Sequence, residues 1–213
     1  MLLRRAWLIA LLGLAACAEG SSPVVAGAGS SGPSTDPTAS DPADFGALPD
    51  FRLVSQAGQE VTLADLRGHP LVIAALYSTC NGPCPSIADA LRRLQRDLAD
   101  TDVRLVTVSV NPTVDTPEVL ARYAAAKGAD PERWTFLTGD EAEVQRLVRE
   151  GFFLAVERSA PAELLEGADE VTHDTRLLVV DRDGHRRGWY QGTDEGQLAR
   201  LRGRVRFLAG EGE

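Results

Sequence analysis

From Leu48 onward the chain alternates short apolar runs with stretches of helical period. PLVIAALY (70–77) is a near-continuous apolar run and VRLVTVSV (103–110) a second, as expected of strands buried inside a sheet. Between them, PSIADALRRLQRDLAD (85–100) places Ile87, Leu91, Leu94 and Leu98 on one stripe, with proline confined to the first turn of the predicted helix. DTPEVLARYAAAKG (115–128) begins with capping residues and Pro117 and stops at Gly128, and DEAEVQRLVREG (140–151) reads as another capped helix. WTFLTG (134–139) is a short strand or a loop. FRLV (51–54) and VTL (61–63), on either side of Gly58, predict an opening hairpin. TRLLVVDRDGHRRGWYQG (175–192) predicts a second, with Asp183-Gly184 supplying the positive-φ turn. DEGQLARLRGRVRFL (194–208) closes the chain as an amphipathic helix.

This order predicts an α/β domain over 48–210, a central mixed β-sheet flanked by helices, with an N-terminal β-hairpin and right-handed parallel crossovers. The arrangement suits a thioredoxin-like fold.

The first 47 residues follow another pattern. Arg4 and Arg5 precede an apolar stretch of about eleven residues that ends in LAAC (14–17). It is too short to span roughly 30 Å of hydrocarbon and has the length of a secretory signal core. LAAC resembles the lipobox of bacterial lipoproteins, in which the cysteine, here Cys17, is acylated and becomes the new N-terminus. Residues 1–17 are therefore expected to be a lipoprotein-type signal ending at Cys17, and the head to work outside the cytoplasm, lipid-anchored to a membrane at its periplasmic face. Residues 18–47, rich in Ser, Gly, Pro and Ala, hold too little to bury against the entropy of ordering and read as a flexible linker, about 30 Å in mean span.

Composition narrows the partners. The 213 residues carry a formal charge of −9, and loss of residues 1–16, with two arginines and no acids, takes it to −11. A general nucleic-acid binder is excluded, because the phosphate backbone would be repelled. His69, in LRGHP, and His185, in DRDGHRR, are expected to be solvated. DRDG starts like a calcium loop but lacks the later ligands. The acidic stretch 157–171 is expected to be an exposed loop, with docking of a basic or metal-bearing partner as its functional alternative. Trp134, Trp189 and Tyr190 read as packing aromatics.

The chemistry lies in YSTCNGPCP (77–85), where Cys80 and Cys84 fall between a buried strand and the next helix. Helix N-termini favour anions, and a thiolate is an anion. A staple there would close a tiny loop and remove little chain entropy. A dithiol oxidoreductase of the thioredoxin kind uses Cys-x-x-Cys and a facing proline loop; here three residues intervene, and the segment before the late strand, VTHDTRLLVV, offers His173 in place of proline. A peroxidase is disfavoured by Tyr77, since peroxide-reducing relatives place Thr three residues before the reactive cysteine. A Cys₂His set suits copper, Cu(I) or Cu(II), and on ligand type alone also zinc. Redox couple and metal site both stay open on the residues alone.

YSTCNGPCP, VSVNPTVDTPEVLARYA (108–124), WTFLTGD (134–140) and VTHDTRLLVVDRDG (171–184) together resemble the SCO1/SenC family, in family order. The resemblance implies a thioredoxin-like fold, a copper site made by Cys80, Cys84 and His173, and a copper chaperone serving the CuA centre of cytochrome c oxidase. Implied partners are the apo copper-bearing subunit and another periplasmic copper carrier. It also implies a disulfide-reducing role towards that centre's cysteines, which makes a thiol–disulfide oxidoreductase the alternative function. Asn81 stands where many members have proline, and Asn111 where the family has an acid, while Asp115 is kept.

Overall fold

The computed structural model describes residues 43–158 and 171–210. The expected signal with Cys17, all but the end of the linker, and most of the acidic stretch lie outside them.

The strands β1 (Arg52–Ser55) and β2 (Glu60–Thr62) form the opening hairpin, with Leu53 opposite Val61. Leu63, expected in the second strand, instead begins a four-residue helix, α1 (Leu63–Leu66). The reason is local: Asp65 accepts from the Thr62 backbone N–H at 2.8 Å and its hydroxyl at 2.6 Å, turning the chain. β3 (Leu71–Leu76) is buried at every residue. It is followed by α2 (Cys84–Asp97) and β4 (Arg104–Ser109). α3 (Pro117–Lys127) starts from Thr116, whose hydroxyl caps the Val119 N–H, and ends at Gly128, with φ of 69°.

β5 (Trp134–Thr138) resolves the ambiguity of WTFLTG: it is a strand, parallel to β4 on one side and antiparallel to β1 on the other. α4 (Glu141–Arg146), capped by Asp140, continues as a π-helical turn, Leu147–Gly151, closed by Phe152 N–H on Leu147 O at 2.8 Å. Gly151 is needed there, since a Cβ would come within 2.8 Å of Leu147 Cδ1 and 3.2 Å of Pro49. β6 (Val156–Arg158) and β7 (Val171–His173) form a separate two-stranded ribbon, which the local sequence pattern did not reveal. β8 (Arg176–Val180) and β9 (Arg186–Gln191) form the late hairpin, and α5 (Glu195–Leu208) closes the chain from an Asp194 cap. In the hairpin turn, Gly184 takes φ of 88°, and Asp181 Oδ1 accepts from the Asp183 and His185 amides at 3.0 and 2.8 Å.

The sheet order is β2-β1-β5-β4-β3-β8-β9. β3, β4 and β5 run parallel and β8 antiparallel to β3, so β3 lies inside the sheet between β4 and β8, with its C-terminal end leading to α2. In the core, Trp134 stacks on Phe136 at 5.0 Å between ring centroids, and its Nε1–H donates to Thr107 Oγ1 at 2.9 Å. Trp189 is half-buried and donates from Nε1 to Phe152 O at 2.7 Å.

The two histidines expected to be solvated remain partly exposed, and each also finds a partner. His69 Nδ1 lies 3.0 Å from Asp102 O, and His185 Nδ1 lies 2.7 Å from Asp44 Oδ2. Folding brings these carboxylate-bearing segments to turns that looked solvent-facing in sequence. Residues 43–47, at the end of the predicted linker, run beside the start of β9: Phe45 N–H donates to Arg186 O, and Arg186 N–H to Gly46 O, both at 3.0 Å.

Candidate metal centre

The two cysteines are carried by elements of different stiffness. Cys84 is the first residue of α2, between Pro83 at the cap and Pro85, and is 1% exposed. Proline suits this first turn because its missing N–H would have no partner inside the helix. Cys80 sits in the loop after β3, in residues without helix or strand, and is also buried. Both sulfurs are free thiols.

His173 ends β7, opposite Val156 of β6. A two-stranded ribbon of three pairs is marginal alone, and here it is tied to the main sheet at its start: Tyr77, the residue after β3, donates its hydroxyl to Val171 O at 3.1 Å. The Tyr77 ring also meets the imidazole edge-on, at 5.8 Å and 79°. His173 Nδ1 lies 2.9 Å from Asp174 O. A carbonyl oxygen only accepts, so this contact places a proton on Nδ1 and turns Nε2 towards the sulfurs. Nε2 lies 2.8 Å from Cys84 Sγ and 3.9 Å from Cys80 Sγ.

The three donor atoms fall within 4.8 Å of one another, and this is the one such grouping of His, Cys, Asp or Glu found among the described residues. The donor set fits a soft ion: two sulfurs and a neutral imidazole whose other nitrogen is already oriented. It contains no carboxylate. The nearest in sequence, Asp174, is engaged by Arg176 through contacts of 2.6 to 3.1 Å. Burial pushes the Asp174 carboxyl up, but the Arg176 guanidinium and nearby amides outweigh it and hold it below its ordinary range.

The structure brings the sequence-predicted Cys80, Cys84 and His173 together, and sequence reasoning missed what surrounds them. Tyr77 entered it only as an argument against peroxidase chemistry. Tyr123 of α3 went unremarked; burial, followed by the charge of Cys84, Cys80 and Asp115, pushes its phenol up from the ordinary value. Asp115 was read as part of a helix cap, yet Thr116 is the cap, and Asp115 turns inward with no exposed surface. The available signal was Pro117, which fixes the helix start and makes Thr116 the cap, leaving Asp115 one residue too early.

The SCO1/SenC family model matches residues 39–203 of the chain. The chain belongs to the SCO1/SenC family. The SCO1 protein homolog of Bacillus subtilis (strain 168) is 29% identical over 147 residues, 68% of this chain and 72% of that protein. Among solved structures, the chain resembles a SCO1/SenC family lipoprotein from Bacillus anthracis str. Ames, with a TM-score of 0.71, 23% identity, and coverage of 79% of this chain and 98% of that one. BsSco, a member of the Sco family of cytochrome c oxidase assembly proteins in which a disulfide switch was identified, superposes with a TM-score of 0.66 at 23% identity, over 80% and 96% of the two chains. ScoI of Bradyrhizobium japonicum, solved with copper bound, gives 0.58 at 26% identity, over 73% and 98%. The fold is thus the thioredoxin-like one expected from the order of elements.

Proposed function

We propose that this SCO1/SenC protein is a copper chaperone. It binds one copper ion through Cys80 Sγ, Cys84 Sγ and His173 Nε2, and delivers it to the CuA site of cytochrome c oxidase. The observation that carries this reading is the imidazole: Nε2 is presented to two sulfurs while Nδ1 is held by Asp174 O. A structural histidine needs no such convergence on two thiols. The copper-bound relative and the oxidase-assembly relative supply the metal and the client.

The geometry suits transfer by stepwise exchange of donors. Cys84 is fixed at a helix start, Cys80 stands on a loop, and His173 comes from a short ribbon. Three protein donors leave room for an incoming ligand from the apo copper-bearing subunit, or from the periplasmic carrier that loads the site. Delivery of this kind breaks no substrate bond.

The LAAC sequence supports acylation of Cys17, with residues 18–47 as tether and the head at the extracytoplasmic face of the envelope. The lipoprotein relative is in keeping with that location. Among the described residues no helix is long and apolar enough to cross a membrane.

A second reading, a thiol–disulfide oxidoreductase that keeps envelope cysteines reduced, is favoured by the two free buried thiols placed together and by the disulfide switch of BsSco. Anaerobic Cu(I) titration of the reduced chain against a chromogenic chelator separates the two. The chaperone reading expects tight one-to-one binding that is lost in His173→Ala. Weak binding in both proteins, with rapid reduction of a protein disulfide by the wild type, would favour the oxidoreductase.

A further inference from the structure

The β3–α2 loop and the end of β4 meet over one carboxyl group. Asp115 has no exposed surface. Its Oδ2 accepts from the Ser78 backbone N–H at 3.0 Å and from Ser109 Oγ–H at 2.5 Å, and its Oδ1 accepts from Ser78 Oγ–H. Ser109, also fully buried, accepts in turn from the Asn111 N–H at 3.1 Å, and the Asp115 N–H donates back to Asn111 O at 2.9 Å. A carboxyl group is costly to bury, and is retained where hydrogen bonds satisfy it. The two bonds from Ser78 join the loop after β3 to the segment before α3, and the Ser109 bond ties that segment back to the end of β4.

We infer that Asp115 is the positioning residue for Cys80. This role rests on the proposed copper site. Cys84 and His173 take their places from a helix start and a strand end. Cys80 lies in the loop two residues after Ser78, followed by the exposed Asn81, Gly82 and Pro83. The Ser78–Asp115 contacts therefore set where the loop leaves the sheet, and with it the direction from which the Cys80 sulfur reaches the other two donors. The side-chain partners of Asp115 are Ser78 and Ser109, and it acts on Cys80 through Ser78. Removing its side chain would leave the Ser78 N–H and Ser109 hydroxyl without this acceptor and free the Cys80 arm, while the Cys84–His173 contact at 2.8 Å stays.

The test is anaerobic Cu(I) competition on the full chain, comparing Asp115→Ala, Asp115→Asn, Cys80→Ser and the double variant Asp115→Ala/Cys80→Ser. Direct outer partners of metal ligands are worth about 10- to 100-fold in affinity; acting one step further out, through Ser78, Asp115 belongs at the low end, and Asp115→Ala should weaken Cu(I) binding by about tenfold. Asparagine can still accept from Ser78 N–H and Ser109, and donate to Ser78 Oγ, so Asp115→Asn should recover most of that loss. In the Cys80→Ser background, Asp115→Ala should cost little more, because the arm it positions no longer carries a ligand. A folded Asp115→Ala chain with unchanged affinity overturns the inference. So does an equal further loss in the Cys80→Ser background, or an asparagine variant as weak as the alanine one. Should Asp115→Ala not fold, Ser78→Ala decides: a loss of about threefold supports the inference, and none overturns it. His173→Ala, run alongside, separates this failure from failure of the copper site, since an unweakened His173→Ala would remove the site itself.

Discussion

Arg186 offers a quantitative test of how the head is closed where the N-terminal segment enters it. The side chain is 7% exposed. Nη1 donates to Gly151 O at 2.6 Å, Nη2 to Ala47 O at 2.9 Å, and Nε to Phe45 O at 3.2 Å; the guanidinium lies 4.2 Å from the Phe153 ring centroid. Burial pulls its pKa down from the ordinary value, against the charge of Asp44. One side chain thus joins the entering segment, the π-helical turn and the only non-glycine residue with positive φ among the described residues, Phe153. Arg186→Ala removes these three hydrogen bonds at about 1 kcal/mol each, together with a fourth, long contact from Nη1 to Glu150 O at 3.5 Å that adds little, a loss of about 3 kcal/mol. For a chain of this size that is about 6–12 °C in Tm. Arg186→Lys, with one ammonium where a planar fork stood, should fall between. The assay is thermal unfolding followed by circular dichroism. An Arg186→Ala chain melting within about 2 °C of wild type would refute the clasp.

Three further outcomes follow from the site, from a surface ion pair and from the LAAC sequence. Oxidising Cys80 and Cys84 to each other should abolish Cu(I) binding and reduction should restore it; retention of stoichiometric copper by the oxidised chain, measured by metal analysis after desalting, would contradict the ligand set. Burial raises the Asp102 carboxyl, but Arg182, hydrogen-bonded and charged, and His69 outweigh it and hold it low. A carboxyl depressed in the folded state stabilises above its unfolded pKa of about 3.9 and loses that contribution as pH falls through its folded value. The Tm gap between wild type and Asp102→Asn should therefore shrink from pH 7 to pH 3, from a contribution below about 1 kcal/mol for so exposed a pair; a constant gap would contradict the pairing. Finally, Cys17→Ser should release the chain from membranes on cell fractionation, and unchanged membrane association would remove the lipid anchor from the account.

The sequence made the frame legible where burial and period coincide. The apolar runs of β3 and β4 and the stripe of α2 are visible because both faces of the strands and one face of the helix are buried. The same reasoning left β5 undecided, since five residues with mixed side chains become a central strand only through register with β4 and β1, which no local pattern encodes. The α1 turn was hidden because Thr62 and Asp65 outweigh the strand propensity of VTL. The β6–β7 ribbon joins strands of three residues separated by a long acidic segment, so neither alternation nor a turn signal announced it. At the site, residue type singled out the two cysteines and the histidine that the fold brings together. Their supports were harder to see: Tyr77 reaches a carbonyl 94 residues away and Asp115 reaches Ser78 37 residues away, contacts that only the folded sheet creates.

X-ray absorption spectroscopy at the copper edge of the Cu(I)-loaded chain tests the central claim most directly, because it counts donors without perturbing the protein. The account predicts two sulfur scatterers and one imidazole nitrogen per copper, with the imidazole signal absent in His173→Ala. A shell of sulfur alone in the wild type, or an imidazole signal that survives the substitution, would contradict it.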